Sequence, residues 1–240
     1  PASSLDSPDQ AVPDQRALLA PPLAPDAGSF VFTQVSSPET TEAGGTATFD
    51  VALEFAPTSA VTTTVSCSDP SEGQVSPNIL VFNTDNATQR VTVTGVDDAL
   101  IDGNVAYSIS LGPAFSQDPE YTGITGSYPM TNIDDDTAGI SVNPTSGLVT
   151  DEAGQLAPQF MVSLTSQPSA GVTVSFASSD PSEGTPNPGS YDFDSTNWNA
   201  PQPVTVSGVN DDIDDGDVPY TIQISVSSAG DPNYDVVTHP

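Results

Sequence analysis

The chain repeats itself once, and this internal repeat constrains the fold more than any other feature. Residues 68–73 (SDPSEG) return unchanged at 179–184, and residues 91–96 (VTVTGV) return at 204–209 with one substitution. A unit of roughly 110 residues can bury a hydrophobic core of its own. The repeat therefore predicts two tandem domains and not a solenoid of small units.

The second copy is shorter than the first at its end. Residues 118–121 (DPEY) match residues 231–234 (DPNY), but only the first copy then continues, through residues 128–133, into an acidic run at 134–136. We therefore expect the second domain to lack its final strand within this chain. Such a domain has an open sheet edge.

Short runs of alternating apolar and polar residues, bounded by Gly, Pro, Asn and Asp, follow one another along both copies. Such runs are typical of β-strands, and no segment shows the sustained periodicity of a helix. The clearest runs are residues 30–32, 46–53, 61–65, 90–96 and 105–111 in the first copy and 139–142, 159–164, 172–176, 203–209 and 219–226 in the second. The sequence predicts an all-β protein of two Ig-like, Greek-key β-sandwiches.

The proposed division of the chain has three parts. Residues 1–27 are rich in Pro, Ala and Asp, and this composition predicts an extended N-terminal arm. Residues 28–136 form domain 1, and residues 137–240 form an incomplete domain 2.

Composition argues against an enzyme and against nucleic acid as a partner. The chain has 32 acidic and 2 basic residues, and its formal net charge of −30 repels nucleic acid and anionic lipid. One histidine, one cysteine and no lysine leave few groups for acid–base or covalent catalysis and exclude an intrachain disulfide. We therefore expect no enzymatic activity and no nucleic-acid partner.

Other features predict an extracellular or cell-surface location. The chain begins at Pro1 without an initiator Met, as a processed export product does. No apolar run approaches the roughly 18 residues needed to cross a bilayer, so we expect no membrane insertion. The triplet Asn86-Ala87-Thr88 matches the acceptor pattern for an N-linked glycan, a pattern that also arises by chance. A halophilic source would be an alternative explanation of the acidity.

Acidic residues recur at the ends of predicted strands in the first copy. In a Greek-key sandwich the three loops that carry them can meet at one pole. Carboxylate oxygens from several loops suit Ca²⁺, which takes about 6–8 oxygen ligands, and the chain has no His or Cys cluster for zinc. The candidate ligands are Glu42, Asp97, Asp98, Asp102, Asp134, Asp135 and Asp136. The alternative is that these residues only form polar turns.

The second copy carries part of the same pattern. Its candidate ligands are Glu152, Asp211, Asp212 and Asp215, and Asn210 stands where the first copy has Asp97. The terminal acidic run has no counterpart in the second copy. We therefore expect an incomplete calcium site in domain 2.

These residues resemble the Calx-beta domain. The resemblance rests on Glu42, on residues 95–98 (GVDD) followed by 101–103 (IDG), and on the closing residues 133–140 (IDDDTAGI). The block at 179–184, together with residues 201–206 (PQPVTV), is similar to the bacterial, tandemly repeated branch of that family. The resemblance implies a calcium-binding sandwich of the kind found in sodium–calcium exchangers and bacterial surface proteins. It also implies calcium at the pole formed by the first-strand Glu, the mid-domain Asp pair and the terminal Asp run.

The N-terminal arm matches the segment that domain 2 lacks. Aligning Ala27-Gly28 with Ala138-Gly139 places residues 18–26 in the register of a final strand and acidic turn. We expect the arm to complete domain 2 of another molecule. The predicted partner-binding residues are Leu18, Leu19, Leu23 and Asp26.

The sequence therefore predicts a structural subunit of an extracellular filament or surface layer. Calcium would stabilise the subunit, and its partner would be a second copy of itself. Because a head-to-tail contact does not close, repetition of it builds a filament. The alternative is a spacer or adhesin fragment of a larger calcium-binding surface protein.

Overall fold

All regular structure in the protein is β-strand. The computed structural model describes residues 28–210, 213 and 216–235, and in these ranges it contains strands and turns but no helix. Accordingly, the described part of the chain has no helix long and apolar enough to cross a membrane. The predicted all-β fold class is confirmed.

Domain 1 is a sandwich of two sheets. Its strands are β1 (Phe30–Gln34), β2 (Glu39–Thr41), β3 (Thr46–Leu53), β4 (Val61–Cys67), β5 (Gly73–Ser76), β6 (Ile79–Phe82), β7 (Thr88–Gly95), β8 (Val105–Leu111), β9 (Phe115–Ser116) and β10 (Gly126–Ile133). One sheet has the order β1-β3-β7-β5 and the other β2-β10-β8-β4-β6, with β9 beside β4. Alternate residues of each strand face inward, and Phe49, Val91 and Ile109 are fully buried between the sheets.

Domain 2 repeats this arrangement in part. Its strands are β11 (Ile140–Asn143), β12 (Gln159–Leu164), β13 (Val172–Ser178), β14 (Gly184–Asn187), β15 (Ser190–Phe193), β16 (Gln202–Gly208) and β17 (Ile222–Ser228). The sheet β11-β12-β16-β14 reproduces the β1-β3-β7-β5 sheet. The second sheet, β15-β13-β17, has no counterpart of β2 or β10 among the described strands. The incompleteness of domain 2 stays a prediction, because only its described strands can be compared with those of domain 1.

Each run predicted from the sequence coincides with a strand of the structure and differs from it only in the residues at which it begins or ends. The short strands β2, β5, β6 and β9 were not predicted, because segments of 2 to 4 residues show no alternation that distinguishes them from loops. The counterparts of β5 and β6 in domain 2, β14 and β15, were missed for the same reason.

The repeated Asp-Pro-x-Tyr motif ties a loop to the core of each domain. Tyr121 is fully buried, and its hydroxyl accepts a hydrogen bond from Phe55 N at 2.8 Å and donates one to Phe55 O at 2.8 Å. Tyr234 is also fully buried, and its hydroxyl accepts from Ser166 N at 3.2 Å and donates to Ser166 O at 2.7 Å. The motif is therefore a structural element of each repeat.

We expect Tyr121→Phe and Tyr234→Phe each to lower the free energy of unfolding by about 1–3 kcal/mol, because a backbone N–H and C=O lose their buried partner. Urea denaturation measures this loss. Tyr128→Phe is the matched control, since among the described residues the Tyr128 hydroxyl makes no hydrogen bond and its removal should cost less. Equal losses in all three variants would contradict the assigned role of the motif.

Candidate functional site

Three loops of domain 1 bring carboxylates together at one end of the sandwich. β2 pairs in parallel with β10, and Thr41 is in register with Ile133. The residues that follow directly, Glu42 and Asp134, therefore leave the sheet side by side. The loop between β7 and β8 supplies further carboxylates at the same pole.

The carboxylates form two groups, and we call them together the acidic pole. In the first group, oxygen atoms of Glu42, Asp134 and Asp136 all lie within 4.8 Å of one another. In the second group, oxygen atoms of Glu72, Asp98 and Asp102 meet the same condition. Carboxylates this close disfavour one another's ionisation unless a cation lies between them.

Burial adds to this repulsion. Glu42 is 1 % exposed, and burial, together with the nearby Asp134 and Asp98, raises the pKa of its carboxyl to about 7. Burial is also the main cause that raises the pKa of Glu72, Asp102 and Asp136, with neighbouring carboxylates as the next cause for Asp102 and Asp136. The acidic pole therefore stores unfavourable free energy when it is ionised without a cation.

Asp136 has one carboxylate oxygen that is buried without a partner. Its Oδ2 atom is buried, and the described residues offer that atom no hydrogen-bond partner. A buried, unpartnered carboxylate oxygen is costly, and a bound cation would satisfy it. The donor set consists of carboxylate oxygens alone, which fits Ca²⁺ and not zinc.

The structure separates the predicted ligands of domain 1 into two classes. The predicted ligands found in the two groups are Glu42, Asp98, Asp102, Asp134 and Asp136. Asp97 and Asp135 are exposed and lie in neither group, although Asp135 donates its backbone N–H to Glu42 Oε2 at 3.3 Å. The assignment of metal ligands stays a prediction.

Glu72 was missed by the sequence analysis. It is 5 % exposed and lies in the repeated SDPSEG block, which was used only as a marker of the repeat. The sequence signal that could have pointed to it is the acid itself, because Glu72 recurs as Glu183 in a block that the two copies share unchanged.

Domain 2 shows less of its predicted site. Glu152 is exposed, whereas its counterpart Glu42 is buried. The predicted ligands Asp211, Asp212 and Asp215 lie outside the described residues, and so do the predicted partner-binding residues Leu18, Leu19, Leu23 and Asp26. Within the described part of domain 2 there is no group of three carboxylates.

One edge of β17 has no neighbour among the described strands, and β17 borders a groove of about 1030 Å³ in domain 2. Apolar side chains that line it include Phe160, Val206, Ile222 and Ile224. In domain 1 the corresponding space is filled by β10, which pairs with β8 along its length. We call the groove of domain 2 the β17 groove.

Comparison of β8 with β17 shows which side chains a strand placed beside β17 would cover. Along β8 the inward-facing residues Tyr107, Ile109 and Leu111 are 6 %, 0 % and 2 % exposed. Their counterparts Tyr220, Ile222 and Ile224 are only half-buried. Among the described strands, β17 is also the longest that has a single neighbour, with 7 residues.

The loop that carries part of the acidic pole also contacts domain 2. Ala99 O accepts a hydrogen bond from Gln167 N at 2.7 Å, and Leu100 forms an isolated parallel bridge with Gln167. Asp98 and Asp102 flank these two residues. A cation held by Asp98 and Asp102 would therefore stabilise a loop of domain 1 that contacts domain 2.

No family model matches the chain, and no curated protein matches it in sequence. Among solved structures, it is similar to the calcium binding domain CBD12 of CALX1.1, at 15 % identity over 78 % of this chain and 76 % of that one, with a TM-score of 0.35. It is also similar to the CsuC–CsuE chaperone–tip adhesion subunit complex of Acinetobacter baumannii Csu pili, at 9 % identity over 61 % and 81 %, with a TM-score of 0.35. A third similarity is to the Salmonella enterica SafA pilin in complex with the SafB chaperone, at 14 % identity over 63 % and 74 %, with a TM-score of 0.33. With TM-scores below 0.5, these similarities assign no function to the chain, and the Calx-beta resemblance stays a prediction beyond the level of a β-sandwich.

We expect the metal-free protein to be less stable at about pH 8 than at about pH 5. Folding raises the pKa of Glu42 from 4.5 to about 7, so its favourable contribution is present below the unfolded pKa and is lost as pH rises through 7. The loss from this group is of the order of 3 kcal/mol. Thermal melts in chelator at the two pH values measure it.

The control for this experiment is Glu42→Gln, which keeps the shape of the side chain but cannot ionise. It should reduce the pH dependence of the metal-free protein. An unchanged pH dependence in Glu42→Gln would show that the acidic pole is not its source.

Proposed function

We propose that the protein is a structural subunit of an extracellular, calcium-stabilised filament or surface layer. In this assembly the N-terminal arm of one copy inserts as a strand into the β17 groove of the next. The observation that carries the proposal is the free edge of β17, whose inward-facing residues are half-buried where those of β8 are buried.

The β17 edge has the chemistry of a strand acceptor. Natural sheets protect free edges with charges, prolines, bulges or short strands. β17 (IQISVSS) contains no charge and no proline, although the chain as a whole has 32 acidic residues. Main-chain hydrogen bonds to such an edge supply affinity, and side chains that enter the groove supply specificity.

The arm has the length and part of the pattern that this edge requires. It spans residues 1–27, whereas β10 needs only 8 residues to cover β8. In the register set by Ala27-Gly28, Leu19 takes the position of Met130, which is 3 % exposed and lies opposite Tyr107. Leu19 is therefore the residue we expect to enter the groove.

The proposed geometry leads to an open assembly. The arm precedes domain 1, and the groove lies in domain 2, so donor and acceptor are different surfaces of the molecule. A contact between different surfaces repeats without closing unless the rotation between copies happens to form a ring. A filament or a layer built from filaments is the expected product.

Calcium supports this function by stabilising the subunit. Bound at the acidic pole, it would neutralise the buried carboxylates and steady the loop that contacts domain 2. Extracellular calcium modules bind with Kd of about 10⁻⁴ to 10⁻³ M, which suits a site that fills only outside the cell.

We expect Ca²⁺ to raise the melting temperature, since a ligand that binds only the folded state at a hundredfold excess over Kd stabilises it by about 2.7 kcal/mol. Asp136→Asn should weaken this response strongly, because it alters a carboxylate of the first group. Asp85→Asn is the matched control, because Asp85 lies in an exposed turn away from the acidic pole. Calcium titrations followed by calorimetry compare the two variants. Equal affinities would show that the acidic pole is misassigned.

We expect deletion of residues 1–25 to abolish filaments and leave domain 1 folded, because β1 begins only at Phe30. Electron microscopy and sedimentation measure the assembly, and urea denaturation measures the fold. A peptide of residues 15–28 should then bind the truncated protein. Filaments formed by the truncated protein would rule out donation by the arm. A full chain that stays monomeric in calcium would favour the spacer or adhesin alternative.

A further inference from the structure

One buried asparagine connects β10 to the rest of domain 1. Asn132 is 1 % exposed, and its Oδ1 accepts a hydrogen bond from the Thr40 hydroxyl at 2.9 Å. Its Nδ2 donates to Val96 O at 3.0 Å and to Glu72 Oε2 at 3.3 Å. The Thr40 hydroxyl also lies 2.9 Å from the Tyr107 hydroxyl. The final strand of domain 1 is thus held by a carboxamide as well as by its main chain.

Domain 2 contains the same hydroxyl pair without the strand. Thr150 Oγ1 lies 2.7 Å from the Tyr220 hydroxyl, and these residues are the counterparts of Thr40 and Tyr107. The backbone around the pair is also conserved between the domains, because Gly208 approaches the carbonyl oxygen of Asp151 too closely to admit a side chain, as its counterpart in domain 1 does.

The hydroxyl pair of domain 2 lies in the wall of the β17 groove. Thr150 and Tyr220 both line it and are half-buried, whereas Thr40 and Tyr107 are 0 % and 6 % exposed. Within the described residues, no carboxamide bonds to the Thr150 hydroxyl. One hydroxyl of the pair donates to the other, so the second hydroxyl proton needs a further acceptor. An incoming strand would bury the pair, and a buried hydroxyl proton without an acceptor costs free energy.

We propose that the Thr150–Tyr220 pair is the specificity-determining feature of the β17 groove. It selects a strand that carries asparagine at the position that Asn132 occupies in β10. The carboxamide Oδ1 accepts from the Thr150 hydroxyl, and its Nδ2 donates toward the carbonyl oxygen that corresponds to Val96 O. An apolar residue at this position leaves the hydroxyl pair buried without an acceptor.

This inference deepens the proposed function and rests on it for the identity of the occupant. In the register set by Ala27-Gly28, the arm places Pro21 at the Asn132 position. Proline supplies neither a carboxamide nor a backbone N–H. The arm of this chain therefore makes a weaker joint than its groove allows, and an asparagine at position 21 should strengthen the joint.

The first test compares Pro21→Asn with Pro21→Ala in the full chain. Alanine restores the backbone N–H without the carboxamide, so the difference between the two variants isolates the carboxamide. We expect the Asn variant to assemble at about tenfold lower protein concentration, the effect of two modest hydrogen bonds. Sedimentation measures the assembly. Adding Thr150→Val should remove the difference, and a thermal melt checks that this variant folds.

The second test does not depend on the arm. A fluorescent peptide of residues 125–136, which contains β10, is added to the full chain beside its Asn132→Ala variant. We expect the unaltered peptide to bind about tenfold more tightly in anisotropy titrations, and Thr150→Val in the protein to equalise the two peptides.

The outcomes separate the inference from the proposed function. If the full chain forms no filaments but the two peptides still differ about tenfold, strand donation by the arm is wrong and the selectivity of the groove stands. If filaments form but Pro21→Asn equals Pro21→Ala and the peptides bind equally, donation stands and the selectivity is wrong. If neither peptide binds, the inference is wrong.

Discussion

A sheet edge with apolar inward-facing side chains is the constraint on which the other features of this protein depend. In domain 1, β10 covers the edge of β8, and Tyr128 stacks on Phe49 with ring centroids 4.2 Å apart. In domain 2, Phe160 takes the place of Phe49 and lines a groove instead. A strand placed in this groove would gain backbone hydrogen bonds and apolar burial together, and both terms favour insertion over an exposed edge.

The acidic pole depends on the same strand. Because β10 runs parallel to β2, it delivers Asp134 beside Glu42 and Asp136 close behind. The strand that covers the core therefore also supplies part of the carboxylate groups. In domain 2, where the described residues contain no such strand, Glu152 is exposed. Closure of the sheet and completion of the acidic pole are linked because one segment of chain provides both.

The sequence predicted what is local and missed what the fold brings together. Long strands were predictable because alternation shows which face is buried, and carboxylates could be grouped because they follow strand ends. Asn132 could not be found this way, since its partner Thr40 lies 92 residues earlier and only the pairing of β2 with β10 joins them. Asp135 was predicted together with Asp134 and Asp136, and it lies outside both carboxylate groups because neighbours in an extended segment point to opposite sides.

The net charge of the chain opposes the proposed contact between two copies. Arg90 is committed to Asp50 through two hydrogen bonds of 2.8 and 3.0 Å, so Arg16 in the arm is the remaining basic residue against a net charge of −30. Salt screens the repulsion between copies, because the Debye length is about 10 Å at 0.1 M. Under the proposed function calcium would act differently, since it would bind the acidic pole and stabilise the folded domain itself. Salt alone would therefore lower the barrier to the proposed association, whereas calcium would also stabilise the fold of each associating copy.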